Sequence, residues 1–239
     1  MIYELNLEKI LFLDIETVPV VYRYEQLSEK QKELWESKNQ YQIADGTSAE
    51  ELYKKAGIYS EFGQIICISV GYLRAIHRSF ELRLKSFYDP DEKILLEQFK
   101  KLVDEHYDSE SHLLCAHNGK EFDFPYIARR MLINGIKLPA ILNIAGKKPW
   151  EIRHLDTMEL WKFGDYKHYT SLNLLTQIFN IPTPKDDISG ADVARVFWEE
   201  KDIKRIVTYC EKDVAAVVQL LLRYRGENLI PEQNIHHIE

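Results

Sequence analysis

Hydrophobic positions along this 239-residue chain switch between strand and helix spacing, and the switches delimit its elements. A short apolar run at 9–13 leads into Asp14, with Pro19 soon after, and predicts a buried strand ending at Asp14. Positions 64–73 are rich in Ile and Val and predict a second strand. Positions 80–87 alternate and predict a third, paired with the second as a hairpin. Residues 91–107 carry apolar side chains at 94, 95, 99, 102 and 103, the spacing of one helix face. A fourth short strand is expected at 112–116, a helix at 122–134 closed by Gly135, and a fifth strand at 152–155. Helical patterns follow at 171–179, 190–199 and 202–223.

Residues 22–58 are polar and charged, with helix-like patches at 28–37 and 48–56. Ser28 before Gln31 and Ser48 before Glu51 have the form of capping boxes. This stretch, about 22–60, reads as a helical insertion into a domain spanning 1–225. The tail, 226–239, has little periodicity and is expected to be disordered or loosely docked. Three strands, a helix, a strand, a helix, a strand and then helices imply an α/β fold: a mixed sheet with helices on its faces.

Composition narrows the class. The length suits one large domain, whose core needs no disulfide or metal to hold it. Cys67, Cys115 and Cys210 are an odd number, widely spaced, and the first two lie in strand-like apolar runs. They read as small buried hydrophobes in a reducing compartment. No basic start followed by an apolar run opens the chain, and no apolar stretch nears the roughly 18 residues of a membrane span. A soluble, cytoplasmic protein is the expectation. The net charge of −7 speaks against a nucleic-acid partner. Two considerations weaken that objection. Carboxylates that hold cations add negative charge that the cations cancel. The charge is also uneven: residues 120–170 hold nine Lys or Arg against six Asp or Glu. Chance on a solvated face explains that excess equally well.

Three motifs carry candidate chemistry. In the first strand Asp14 and Glu16 point to one face, about 7 Å apart along the chain. Two facing carboxylates suit a hard divalent cation, although two solvated acids at a strand end would look the same. The second motif runs from His117 through Asn118, Gly119 and Phe122 to Asp123 at a helix start, where a carboxylate is favoured. Its plainer reading is a turn and a first-turn acid, with His117 a structural strand-end histidine. In the third, Tyr209 and Asp213 are four apart and share a helix face, beside a stripe made by Ile203, Ile206, Val207, Ala216, Val217 and Leu220. An ordinary tyrosine at the core margin is the plainer reading there.

Taken together and in this order, the motifs resemble those of the DEDD (DnaQ-like) exonuclease superfamily. The resemblance is to its tyrosine-bearing branch, and within that to the 3′→5′ exonuclease domain of B-family DNA polymerases. The strand at 64–70, the His154-Leu155-Asp156-Thr157 segment, Ser171 to Leu175, and Ile181-Pro182 also look like family segments. Members with a catalytic histidine place it five residues before the last Asp, where this chain has Thr208. The resemblance implies a ribonuclease H-like fold, with a five-stranded mixed sheet flanked by helices. It implies two divalent ions, Mg²⁺ or Mn²⁺, held by Asp14, Glu16, Asp123 and Asp213, and a water oriented by Tyr209. Thr17, Asn118 and Phe122 become candidates to contact the substrate, the 3′ end of a single-stranded nucleic acid, DNA rather than RNA. Asp156 is left between a site role and a buried capping acid. With no polymerase region in the sequence, a free-standing exonuclease is the expectation. A ribonuclease D-like RNA trimmer would carry the same acids, and a catalytically silent binding module on this fold is the further alternative.

Overall fold

In the computed structural model, residues 2–77, 79–165, 169–182 and 188–238 are described. The sheet contains β1 (Ile10–Pro19), β2 (Gly63–Ile76), β3 (Ser79–Phe87), β4 (Leu113–Ala116), β5 (Leu155–Asp156) and β6 (Ile235–His237). Their order is β5-β4-β1-β2-β3-β6, with β1–β2 and β2–β3 antiparallel and β1–β4, β4–β5 and β3–β6 parallel. This is the mixed α/β sheet of a ribonuclease H-like fold, with six strands where five were expected.

The helices are α1 (Glu29–Lys38), α2 (Gln40–Ala44), α3 (Ala49–Tyr53), α4 (Glu92–His106), α5 (Asp123–Ile133), α6 (Thr157–Lys162), α7 (Leu172–Ile178), α8 (Val193–Arg195) and α9 (Ile203–Tyr224). The helix expected at 190–199 is α8 followed by a π-helical turn, Val196–Glu200.

Strand alternation divides β1 between two cores. Leu11, Leu13 and Ile15 pack with Leu95, Phe99 and Val103 of α4 and with Phe124, Ile127 and Met131 of α5. Ile10 and Phe12 face the other way, onto Val214, Val217 and Leu221 of α9. Val18 joins Cys67, Ile206, Val207 and Cys210 farther along that face. Asp14 and Glu16 therefore lie under α9, between two apolar patches. β1 does not stop at Asp14 but continues to Pro19, paired with β2 to its end through a bulge at Glu16/Thr17.

The stretch at 22–62 has a core of its own, built on the fully buried Trp35 and including Leu27, Tyr53, Ala56 and Phe62. Trp35 meets the Phe62 and Tyr53 rings edge-on at 5.0 and 5.3 Å and donates its indole N–H to the Ala49 carbonyl. Ser28 caps α1 in a reciprocal box with Gln31, and the Ser48 hydroxyl accepts from the Glu51 amide. The unit is bolted to the sheet domain by Tyr126, which donates to the Gly57 carbonyl, and by Arg130, which donates to the Ser60 carbonyl.

The tail is docked rather than loose. Ile235–His237 adds a parallel edge strand to β3, and Ile230 is buried with its backbone held by both ends of the Gln219 amide. No helix among the described residues is long and apolar enough to cross a membrane.

Candidate active site

β4 pairs with β1 as far as Phe12↔Cys115 and ends at Ala116, while β1 runs on. The notch this leaves is filled by the loop after β4 and by the first turn of α5. Two features make that turn tight. Asn118 sits in the left-handed region at φ 65°, and a Cβ on Gly119 would come within 2.4 Å of the Ala116 Cβ. Asp123 opens α5, buried at 3% exposure. Its carboxylate accepts from the Ile15 amide of β1 and from its own amide. The helix on one face of the sheet thus delivers its carboxylate to the edge where Asp14 and Glu16 emerge on the other.

α9 completes the cluster. Tyr209 and Asp213 are one turn apart, and the phenol hydrogen-bonds to the Asp213 carboxylate. Cys210 lies between them on the sheet side, its Sγ 3.4 Å from both the Asp14 carbonyl oxygen and Asp14 Oδ2. The electrostatic neighbours of Asp14 are Asp123, Glu16 and Asp213. The fold therefore gathers all four acids and Tyr209, which lie up to 199 positions apart in sequence.

Such crowding is unfavourable without cations. Burial first, then Asp123, Glu16 and Asp213, drive the Asp14 carboxyl well above the usual carboxylate range. Burial and then Asp213 do the same to Glu16. Burial pushes Asp123 up to about 7, against the lowering effect of its backbone hydrogen bonds. Burial and the acids also raise the Tyr209 phenol, which keeps its proton throughout the ordinary pH range. Buried, mutually repelling oxygen ligands are the donor set that a hard divalent cation satisfies. Ligand atoms of Asp14, Glu16 and Cys210 already lie within 4.8 Å of one another.

The flanking candidates are placed as follows. Thr17 follows the bulge and reaches the Tyr126 hydroxyl. Phe122 is half-buried, its ring 5.2 Å from that of Tyr126, so only part of it is presented to a base. The Asn118 amide oxygen is buried without a hydrogen-bond partner among the described residues, an unmet acceptor in the loop that leads to Asp123. His117 is bound at both nitrogens, to the Thr157 hydroxyl and the Thr170 carbonyl at 2.9 Å each, which is the structural role.

Asp156 is a capping acid. It accepts from the amides of Met158 and Glu159 at the start of α6 and from those of Asn118 and Lys120 in the loop that leads to Asp123. Asp156→Ala strands four buried or half-buried donors. A stability loss of about 2–3 kcal/mol is expected, read as a lowered urea midpoint; a loss under about 0.5 kcal/mol would show that the cap carries little.

Two residues near the cluster were not legible as site residues. Cys210 sits inside the third motif, and its helical position alone aims it at the sheet. Tyr169 is two-thirds exposed yet lies in the field of Asp123 and Asp156. It is carried there by an irregular segment that no periodicity marks. The basic excess at 120–170 is partly consumed inside the fold: Arg130 pairs with buried Glu92, and Lys120 with Glu159 at 2.6 Å. Lys167 of that set lies outside the described residues. A cleft of 770 Å³ lined by Lys85, Tyr88, Lys204 and Glu211 and one of 450 Å³ lined by Pro19, Tyr22, Arg23 and Arg195 include none of the four acids in their walls.

Two DNA polymerases align over 142 residues each: one from Pyrococcus glycovorans at 23% identity and one from Desulfurococcus sp. (strain Tok) at 25%. Each alignment covers 54% of this chain but only 18% of the polymerase, so the chain spans less than a fifth of these relatives' length. A family model described as a predicted 3′→5′ exonuclease related to the exonuclease domain of PolB matches residues 58–230. That span holds Asp123, Tyr209 and Asp213, and the fold brings Asp14 and Glu16 to them from outside it. Because the match covers over two thirds of the sequence, the chain belongs to this family of PolB-related 3′→5′ exonucleases.

Proposed function

We propose that the protein removes nucleotides one at a time from the 3′ end of single-stranded DNA, releasing nucleoside 5′-monophosphates. The observation that carries this reading is the convergence of four acids, Glu16 and Asp123 buried and Asp14 and Asp213 half-buried, with Tyr209 beside them. Asp14, Glu16, Asp123 and Asp213 would hold two divalent ions, Mg²⁺ or Mn²⁺. When bound, those ions acidify the attacking water and stabilise the departing 3′ oxygen.

The chain's own groups do the positioning. Tyr209 remains protonated, so it orients the nucleophilic water as a hydrogen-bond partner and does not take its proton. Its bond to Asp213 fixes the phenol over the acids. Asn118 supplies its unmet amide oxygen to the terminal nucleotide, and Thr17 and the free part of Phe122 line the base. Base stacking of this kind tolerates any sequence, as an exonuclease requires. DNA is favoured over RNA because the aligned relatives are DNA polymerases.

The test is laddering of a 5′-labelled single strand with Mg²⁺ or Mn²⁺, run beside the matching RNA. Progressive shortening from the 3′ end, faster on DNA, is expected. Absence of cleavage by a folded preparation sinks the reading, and faster cleavage of RNA transfers it to a ribonuclease D-like trimmer. Tyr209→Phe should lower kcat by about 10–100-fold with KM little changed, because only the orientation of water is lost. An unchanged kcat would remove Tyr209 from the mechanism.

A further inference from the structure

The acids are not the only metal-ligating groups at this edge. Glu16 stands opposite Cys67 in the β1–β2 register, and directly opposed residues share a face with Cβ atoms about 4.5–5.5 Å apart. Cys67 also enters the electrostatic surroundings of Glu16. From the helix above, Cys210 touches Asp14 at 3.4 Å and also interacts with the Cys67 thiol. Both cysteines are fully buried and neither is in a disulfide. Asp14, Glu16 and Cys210 thus gather their ligand atoms within 4.8 Å, and Cys67 adjoins that group through Glu16 and Cys210.

We propose that Cys67, Cys210, Asp14 and Glu16 form a binding site for a thiophilic divalent cation, Zn²⁺ or Cd²⁺, in competition with hard ions. Two sulfurs and two carboxylate oxygens are a tetrahedral donor set, and thiolates favour such ions over Mg²⁺. A tetrahedron with metal–ligand bonds of about 2.0–2.3 Å needs ligand atoms roughly 3.3–3.8 Å apart. Ligand atoms of Asp14, Glu16 and Cys210 within 4.8 Å are close to that spacing, and small side-chain rotations close the gap. Each thiol gives its proton to solvent as the cation binds, so no oxidant or reductant takes part. Because Asp14 and Glu16 are shared, occupancy takes two carboxylates from the hard-ion site. The inhibitory consequence rests on the proposed exonuclease reading; the binding itself does not.

The test is titration of the purified, chelator-stripped chain with Cd²⁺, followed by sulfur-to-cadmium charge-transfer absorption, which ions on histidine or carboxylate alone do not produce. A band saturating at one ion per chain is expected. It should persist in Cys115→Ser, whose thiol lies on β4 in the other apolar patch. Cys210→Ser and Cys67→Ser should each weaken binding by more than about tenfold. Excess Mn²⁺ should right-shift the wild-type titration, a readout that no misfolded variant can confuse. Lack of a band in the wild-type chain, a band undiminished in Cys210→Ser, or indifference to Mn²⁺ overturns the proposal. One equivalent of Cd²⁺ should also stop Mg²⁺-supported cleavage, reversibly on chelation. A chain that shows the band but never cleaves DNA refutes the exonuclease reading and leaves this site standing.

Discussion

Asp14→Asn will abolish 3′-end trimming and, in the same protein, make the metal-free fold harder to unfold. The loss of activity should be on the order of 10³-fold or more, because the residue lies in the field of the three other acids and no neighbour can replace it. The gain in stability follows from the same crowding. Asp14 is a half-buried, desolvated carboxyl in the field of Asp123, Glu16 and Asp213, and the amide removes one member of that set while keeping its shape. An increase on the order of 1 kcal/mol, or about 2–4 °C in Tm, is expected in the presence of a chelator. A variant that loses activity and also stability would mean that Asp14 is a structural residue.

The pH dependence fixes the sign independently. Asp14, Glu16 and Asp123 have folded-state values above the unfolded ones near 4. Their contribution to stability is therefore fully present below about pH 4 and is lost as pH rises through the folded values, about 7 for Asp123. His117 and His154 work in the opposite sense. Burial lowers both, so their contribution is present above about 6.5 and lost as pH falls below it. Between pH 6.5 and 8 the two buried imidazoles are mostly neutral in both states, so the raised acids dominate the slope. The metal-free protein should lose stability on going up that interval, and saturating Mn²⁺ should flatten the slope, since cations then do what protons did. A chelated protein whose Tm rises from pH 6.5 to 8 contradicts the electrostatic account of the site.

Arg130→Met is expected to cost about 3–5 kcal/mol, the largest stability loss among the substitutions considered. Arg130 and Glu92 are both about 8% exposed and joined by two hydrogen bonds at 2.9 and 2.5 Å. Arg130 also donates to the Ser60 carbonyl, and Glu92 also accepts from the Ile65 amide and the Asn134 side chain. One pair therefore ties α4, α5, β2 and the end of the insertion together. Removing the cation alone leaves a buried carboxylate short of partners. Arg130→Met combined with Glu92→Leu should recover part of that loss but not all, because the Ile65 amide then lacks its acceptor. Urea unfolding of the single and double variants measures both effects. A single-variant cost below about 1 kcal/mol would show the pair to be solvated in the folded state. Since α5 begins at Asp123, the single variant should also slow trimming.

By itself the sequence determined the elements whose signal is local. The Ile- and Val-rich hairpin, the apolar stripe of α4 and the long α9 all appear where periodicity put them, because burying one face of a strand or helix imposes spacings of 2 or 3.6. It also determined Asp14 with Glu16, and Tyr209 with Asp213, as same-face pairs, since both follow from backbone geometry alone. What it did not reveal depends on partners distant along the chain. β1 was cut short at Asp14 because acids inside a strand break the apolar run, and only the sheet shows that they lie under α9. The tail lacks periodicity, yet β3 and Gln219 hold it in place. The polar stretch at 22–60 became a packed unit around Trp35 only once α3 and Phe62 closed on it. Above all, tertiary structure decided that the four acids come into one another's field and that Cys210 lies among them. Strand β4 stops short of β1, α5 starts in the resulting notch, and α9 crosses above; none of the three is a property of neighbouring residues. Juxtaposition of like charges opposes folding locally, so no local pattern encodes it, and packing of the two cores on either side of the sheet imposes it.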